Sequence, residues 1–132
     1  MQVNALDHVN IFTDDMPGSA QFYADLLDLD VRNGPPPSRP EQVRWVYDKA
    51  DRPIIHLNAR GAPQAFPREC PPGLTGPIHH VALNCSGKDE VVKRLKARAA
   101  AFEERRIASI GLTQIFTQDP NGVLLELNFY GD

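Results

Sequence analysis

The sequence predicts an α+β protein made of two β-α-β-β-β modules. Two observations carry this. Runs that alternate apolar and polar residues are interrupted twice by a stretch with helical spacing, and the second half repeats the order of the first. Composition agrees: 132 residues, 42% hydrophobic and 23% charged, make one soluble domain by length, or two small modules sharing a core.

Each element has a local reason. "ALDHVNIFT" (5–13) alternates and is β-rich, so it reads as a strand. In "DDMPGSAQFYADLLD", Asp15 suits an N-cap and Pro17 a first helical turn, and Phe22, Leu26 and Leu27 form an apolar stripe. "LDVRN" is a short strand. Residues 33–42 hold four prolines and must be a loop. "VRWVYD" (43–48) and "RPIIHLNA" (52–59) read as two more strands, closing module one at residue 60.

Residues 60–77 contain five of the twelve prolines and three glycines and show no period. Most of this run (61–76) is expected to link the modules. Module two spans 77–132. "PIHHVALNC" is a strand, and "GKDEVVKRLKARAAA" is a helix with Val91, Val92, Leu95 and Ala99 on one side. "FEERRI", "LTQIFTQ" and "GVLLELNFY" are strands, the last two joined by the turn "DPNG".

The halves also align residue by residue. "LDHVNIF" matches "IHHVALN", and "PIIHLN" matches "VLLELN". His8 and His80 are 72 residues apart, and His56 and Glu126 are 70 apart. Strand neighbours two apart share a face. His8 therefore lies with Asn10, His56 with Asn58, and Glu126 with Asn128, while His80 carries Asn84 four positions on. Because His80 matches His8, it is expected to face inward and His79 outward. Val9, Ile11, Val81, Leu83, Leu125 and Leu127 form the opposite faces, toward the helices.

A buried carboxylate without a partner is very unfavourable, and a divalent cation would neutralise it. Imidazole and carboxylate suit Fe, Ni, Co, Zn or Mn. His8, His56, His80 and Glu126 are thus the expected metal ligands. The asparagines would orient ligands or bind substrate oxygens. Trp45 and Tyr47 share one face, and Gln114, Phe116 and Gln118 another; each set reads equally as substrate wall or core. Arg44 is expected to be solvated. Phe66 and Arg68, in the second Pro-rich loop, are candidate lid contacts.

Other classes are disfavoured. A net charge of −3 gives no footprint for nucleic acid or for an anionic membrane. No apolar run approaches the roughly 20 residues of a membrane span, and the N-terminus lacks a signal-peptide layout. Cys70 and Cys85 make no disulfide framework and read as reduced thiols of a cytoplasmic protein.

"LDHVNIFTDD" with "FYADLLDLDV", "HHVAL", and above all "FTQDPNGVLLEL" resemble the vicinal oxygen chelate superfamily. That superfamily includes glyoxalase I, methylmalonyl-CoA epimerase, extradiol dioxygenases, fosfomycin-resistance proteins and bleomycin-binding proteins. The resemblance covers nearly the whole chain. It implies a cup-shaped mixed sheet with helices outside, a homodimer, and one divalent metal ion per site held at the positions of His8, His56, His80 and Glu126. From the strand faces, Asn10, Trp45, Asn58, Asn84, Phe116 and Asn128 are the candidate substrate contacts.

Two reactions fit the resemblance. One is glyoxalase-like lyase or isomerase chemistry through a metal-stabilised enediolate, with Glu126 or His56 as base. The other is Fe(II) extradiol ring cleavage, but the histidine and tyrosine usual near the start of the seventh strand are missing from "RRIASIGLTQIFTQ". Fosfomycin-type thiol transfer expects a basic loop there, for which only Arg105 and Arg106 are on offer. The non-enzymatic alternative is ligand sequestration of the bleomycin-resistance type. His56 matches neither the glutamate usual in glyoxalase I-like enzymes nor the glutamine of the epimerases at that position.

Overall fold

The computed structural model describes residues 1–131. The chain forms two units, Met1–Pro72 and Gly73–Asp132. Among the described residues each has one α-helix and one four-stranded mixed sheet, the second unit adding a 3-10 turn at Ala108–Ile110.

In the first unit the elements are β1 (Val9–Thr13), α1 (Met16–Leu27), β2 (Asp30–Asn33), β3 (Val43–Tyr47) and β4 (Pro53–Ala59), in sheet order β1-β4-β3-β2. β1 runs parallel to β4, and the other pairs are antiparallel. The Asp15 carboxylate accepts the Gly18 N–H at 3.0 Å, which caps α1, and Pro17 sits in the first turn, where no helical donor is needed. Asp28 ends the helix in the left-handed region. Phe22, Tyr23 and Leu26 are buried on this helix, over Val46, Ile55 and Leu57 of the sheet. Tyr23, absent from the expected stripe, is fully buried.

The second unit repeats the order: β5 (Val81–Cys85), α2 (Lys88–Ala97), β6 (Phe102–Ile107), β7 (Leu112–Gln118) and β8 (Leu124–Tyr130), with sheet order β5-β8-β7-β6. Its core is Val91, Leu95, Ile115, Leu125, Leu127 and Phe129. Asp119 builds the β7–β8 turn by accepting the N–H groups of Asn121 and Val123 at 2.8 and 2.9 Å. Gly122 completes it at φ +85°, and a Cβ there would lie 2.8 Å from the Gly73 Cα.

Three local expectations are corrected. β1 starts at Val9, not at residue 5: Pro53 has no N–H, and the Ile54 N–H is bonded to the Arg52 carbonyl. β4 thus offers no ladder donor to residues before Val9. β5 starts at Val81, because Thr75–Ile78 form a turn closed by the Thr75 hydroxyl on the Ile78 carbonyl. His8 and His80 therefore each sit one residue ahead of a strand. Finally, α2 ends at Ala97, and Ala99 is exposed at φ +50° rather than part of the buried stripe.

The internal repeat is visible in the register. Asn10 lies opposite His56 in the parallel β1–β4 pair, and Ala82 opposite Glu126 in β5–β8. Across the antiparallel neighbour, Trp45 faces His56 and Phe116 faces Glu126. The two central strands hence present His56 and Glu126 at the same place in equivalent frameworks.

Candidate functional site

In the second unit Glu126 sits mid-strand on β8 and is 8% exposed. Burial of an ionised carboxylate requires partners, and it has three. Gln114 Nε2 and Asn128 Nδ2 both donate to Oε1 at 2.8 Å. The other oxygen, Oε2, lies 3.1 Å from His80 Nε2. Gln114 also donates to Asn128 Oδ1 at 3.2 Å. The edge of Phe116 approaches the His80 ring, with centroids 6.3 Å apart. His79 does not reach the carboxylate; its Nδ1 lies 2.9 Å from Nδ1 of His80. Asn84 is exposed, opposite Asn128.

In the first unit His56 lies between His8, from the β1 side, and Trp45, from the β3 side. Its ring centroid is 3.8 Å from that of His8 and 4.2 Å from that of Trp45, and the Trp45 planes differ by only 3°. The His56 Nε2 atom is buried and has no hydrogen-bond partner. Burial pushes its pKa below the ordinary histidine range, and the nearby His8 pushes it further down. Asp7 Oδ2 lies 2.6 Å from His8 Nδ1, the counterpart of the His79–His80 contact. Asn58 donates its amide to Asn10.

The expected site residues thus gather as two pairs, His8 with His56 and His80 with Glu126. Among the described residues, no group of three or more His, Cys, Asp or Glu is close enough together to hold a metal ion. The donor chemistry nevertheless fits a borderline divalent ion. The buried, unpartnered His56 Nε2 offers a lone pair to such an ion in the tautomer that carries the proton on Nδ1. The His80–Glu126 spacing also fits: two donors each roughly 2.0–2.2 Å from one ion, at right angles, lie about 3 Å apart.

Gln114 is the residue whose importance the sequence left open. Its only signal was a shared face with Phe116. Arg44, expected in solvent, is half-buried with its Nε atom unpartnered. It lines a cleft of about 550 Å³ with Thr13, Asp14, Glu41 and Arg60. A second cleft, of about 470 Å³, includes Asp14, Arg60, Arg68 and Cys70. Both lie past the end of β1, away from the histidine pair at its start. Phe66 is 82% exposed and lines neither. No helix among the described residues is long and apolar enough to cross a membrane.

Two mixed sheets of this topology, with ligand-type side chains on equivalent central strands, define a glyoxalase-type fold. The sequence profile of the Glyoxalase/Bleomycin resistance protein/Dioxygenase superfamily matches residues 5–127, and the chain belongs to that superfamily. Several solved structures share the fold. A virulence protein from Salmonella typhimurium is 18% identical, with a TM-score of 0.73 and 98% of this chain and 99% of that one covered. Lactoylglutathione lyase from Agrobacterium tumefaciens is 19% identical, with a TM-score of 0.67 and coverage of 98% and 96%. The fosfomycin resistance protein FosX from Listeria monocytogenes is 16% identical, with a TM-score of 0.68 and coverage of 97% and 94%. Comparison with curated proteins gives no match.

Proposed function

We propose that this protein is a metal-dependent lyase or isomerase acting on a small substrate with adjacent oxygens. The observation that carries the reading is the buried Glu126, held on one oxygen by two amides while the other faces His80. His80 and Glu126 would hold a divalent ion, and His8 and His56 are the other proposed ligands. An ion there supplies Lewis-acid polarisation of the substrate oxygens.

The remaining work falls to side chains. A proton leaving a carbon next to a carbonyl needs an acceptor that is unprotonated at working pH. His56 would serve as that acceptor in place of binding the ion, since burial favours its neutral form and Nε2 has no hydrogen-bond partner. Glu126 Oε2 is the alternative acceptor, provided it leaves the ion to take the proton. Trp45 and Phe116 occupy equivalent positions beside the two groups and would give the substrate apolar walls.

The test is a paired assay on untagged protein reconstituted with Ni, Zn, Co, Mn or Fe(II). Isomerisation of a methylglyoxal–thiol adduct, lost in Glu126→Ala, is expected. Oxygen uptake with a catechol would replace this reading with ring cleavage. Tight ligand binding without turnover or metal would replace it with sequestration.

A further inference from the structure

We infer that Gln114 and Asn128 form an amide clamp that makes Glu126 a one-oxygen ligand. The inference rests on the metal reading above and names positioning residues for the same site.

The geometry is specific. Glu126 is buried, and its three partners divide unequally between its oxygens, His80 alone lying on Oε2. Both amides converge on Oε1, at 2.8 Å each. They are also locked to each other, Gln114 Nε2 donating to Asn128 Oδ1 at 3.2 Å. This fixes which way the Asn128 amide points: its oxygen takes the Gln114 hydrogen, so its NH₂ must face Glu126. Both Gln114 N–H groups are then in use, and rotation of either amide would break bonds of both. With Oε1 saturated, only Oε2 remains, and it is turned toward His80.

The repeat supplies an internal control. The position equivalent to Gln114 is Val43, opposite Asn58 on the first sheet. No amide can be given from there, and Asn58 bonds Asn10 instead. The first unit has His56 where the second has Glu126, and an imidazole has no second oxygen to tie down. The clamp occurs where the ligand is a carboxylate and is missing where it is not.

Gln114 thus acts through Glu126, as does Asn128, whose amide is occupied by the clamp rather than presented to substrate. Partners behind a metal ligand typically change affinity by about 10–100-fold when removed. The test uses the full-length protein and Co(II), whose visible spectrum reports coordination. Gln114→Met keeps the side-chain length and Asn128→Leu the branched shape; neither can donate. Asn128 is half-buried, so its variant tests the clamp should Gln114→Met misfold. Each folded variant is expected to bind Co(II) about 10–100-fold more weakly, with an altered visible band, as Oε1 becomes free to swing onto the ion. Wild-type affinity and an unchanged spectrum in the folded variants overturn the clamp alone. Wild-type Co(II) binding in Glu126→Ala overturns the metal reading and the clamp with it.

Discussion

The Trp45 indole lies flat against the His56 imidazole, with planes 3° apart and centroids separated by 4.2 Å. This is the protein's one tryptophan, so its fluorescence reports directly on the surroundings of His56. Ni(II) bound through His8 and His56 should quench that emission. The quench should weaken markedly in His56→Ala while Ni(II) titrations of both proteins are compared at equal saturation. Equal quenching in the two would place the ion away from this ring stack.

The core of the second unit depends on the face of β8 opposite Glu126. Leu127 is fully buried there. Leu127→Ala removes buried methyl groups and leaves a cavity, for an expected loss of about 2–5 kcal/mol in denaturant unfolding. Ala99, once expected on the same core, is exposed; Ala99→Gly should relieve its positive φ and leave stability equal or slightly higher.

Asp48 organises the β3–β4 turn. It accepts the Ala50 and Arg52 N–H groups and the Arg52 guanidinium. Those bonds, the guanidinium foremost, hold its pKa below the usual aspartate range. A depressed carboxylate stabilises the fold above the unfolded value, about 3.9, and that contribution disappears as pH falls through the lowered folded value. Melting temperature measured from pH 6 down to about pH 2 should therefore drop less steeply in Asp48→Asn than in the wild type. Parallel curves would contradict the assignment.

Gly122 is required by both conformation and space. Its φ is +85°, and a methyl group would meet the Gly73 backbone. Gly122→Ala should lower the melting temperature, whereas Gly131→Ala, with positive φ but open space around it, should lower it less. A smaller loss at Gly122 would show that the Gly73 segment yields at little cost.

Element order was legible because period-2 and period-3.6 patterns alternate cleanly, and the repeat was legible because ligand-type residues recur at matched positions. Strand starts were not. Residues 5–8 and 77–80 alternate as strands do, but the missing donors around Pro53 and the Thr75–Ile78 turn deprive them of a ladder. Alternation reports which face a residue would occupy, not whether a neighbouring strand can bond it. The role of Gln114 was hidden for a related reason. Its partners lie 12 and 14 residues away and meet it only through the β7–β8 register. The ring stack of His8, His56 and Trp45 arises from two neighbouring strands and the residue just ahead of a third, which no local pattern encodes.

Metal content is the most direct check on the central claim. Untagged protein supplied in turn with Fe, Ni, Co, Zn or Mn, then dialysed, should retain about one equivalent of a borderline divalent ion per site. His80→Ala and Glu126→Ala should each lose it, and His79→Ala should keep it. Full retention in both of the first two variants would contradict the account.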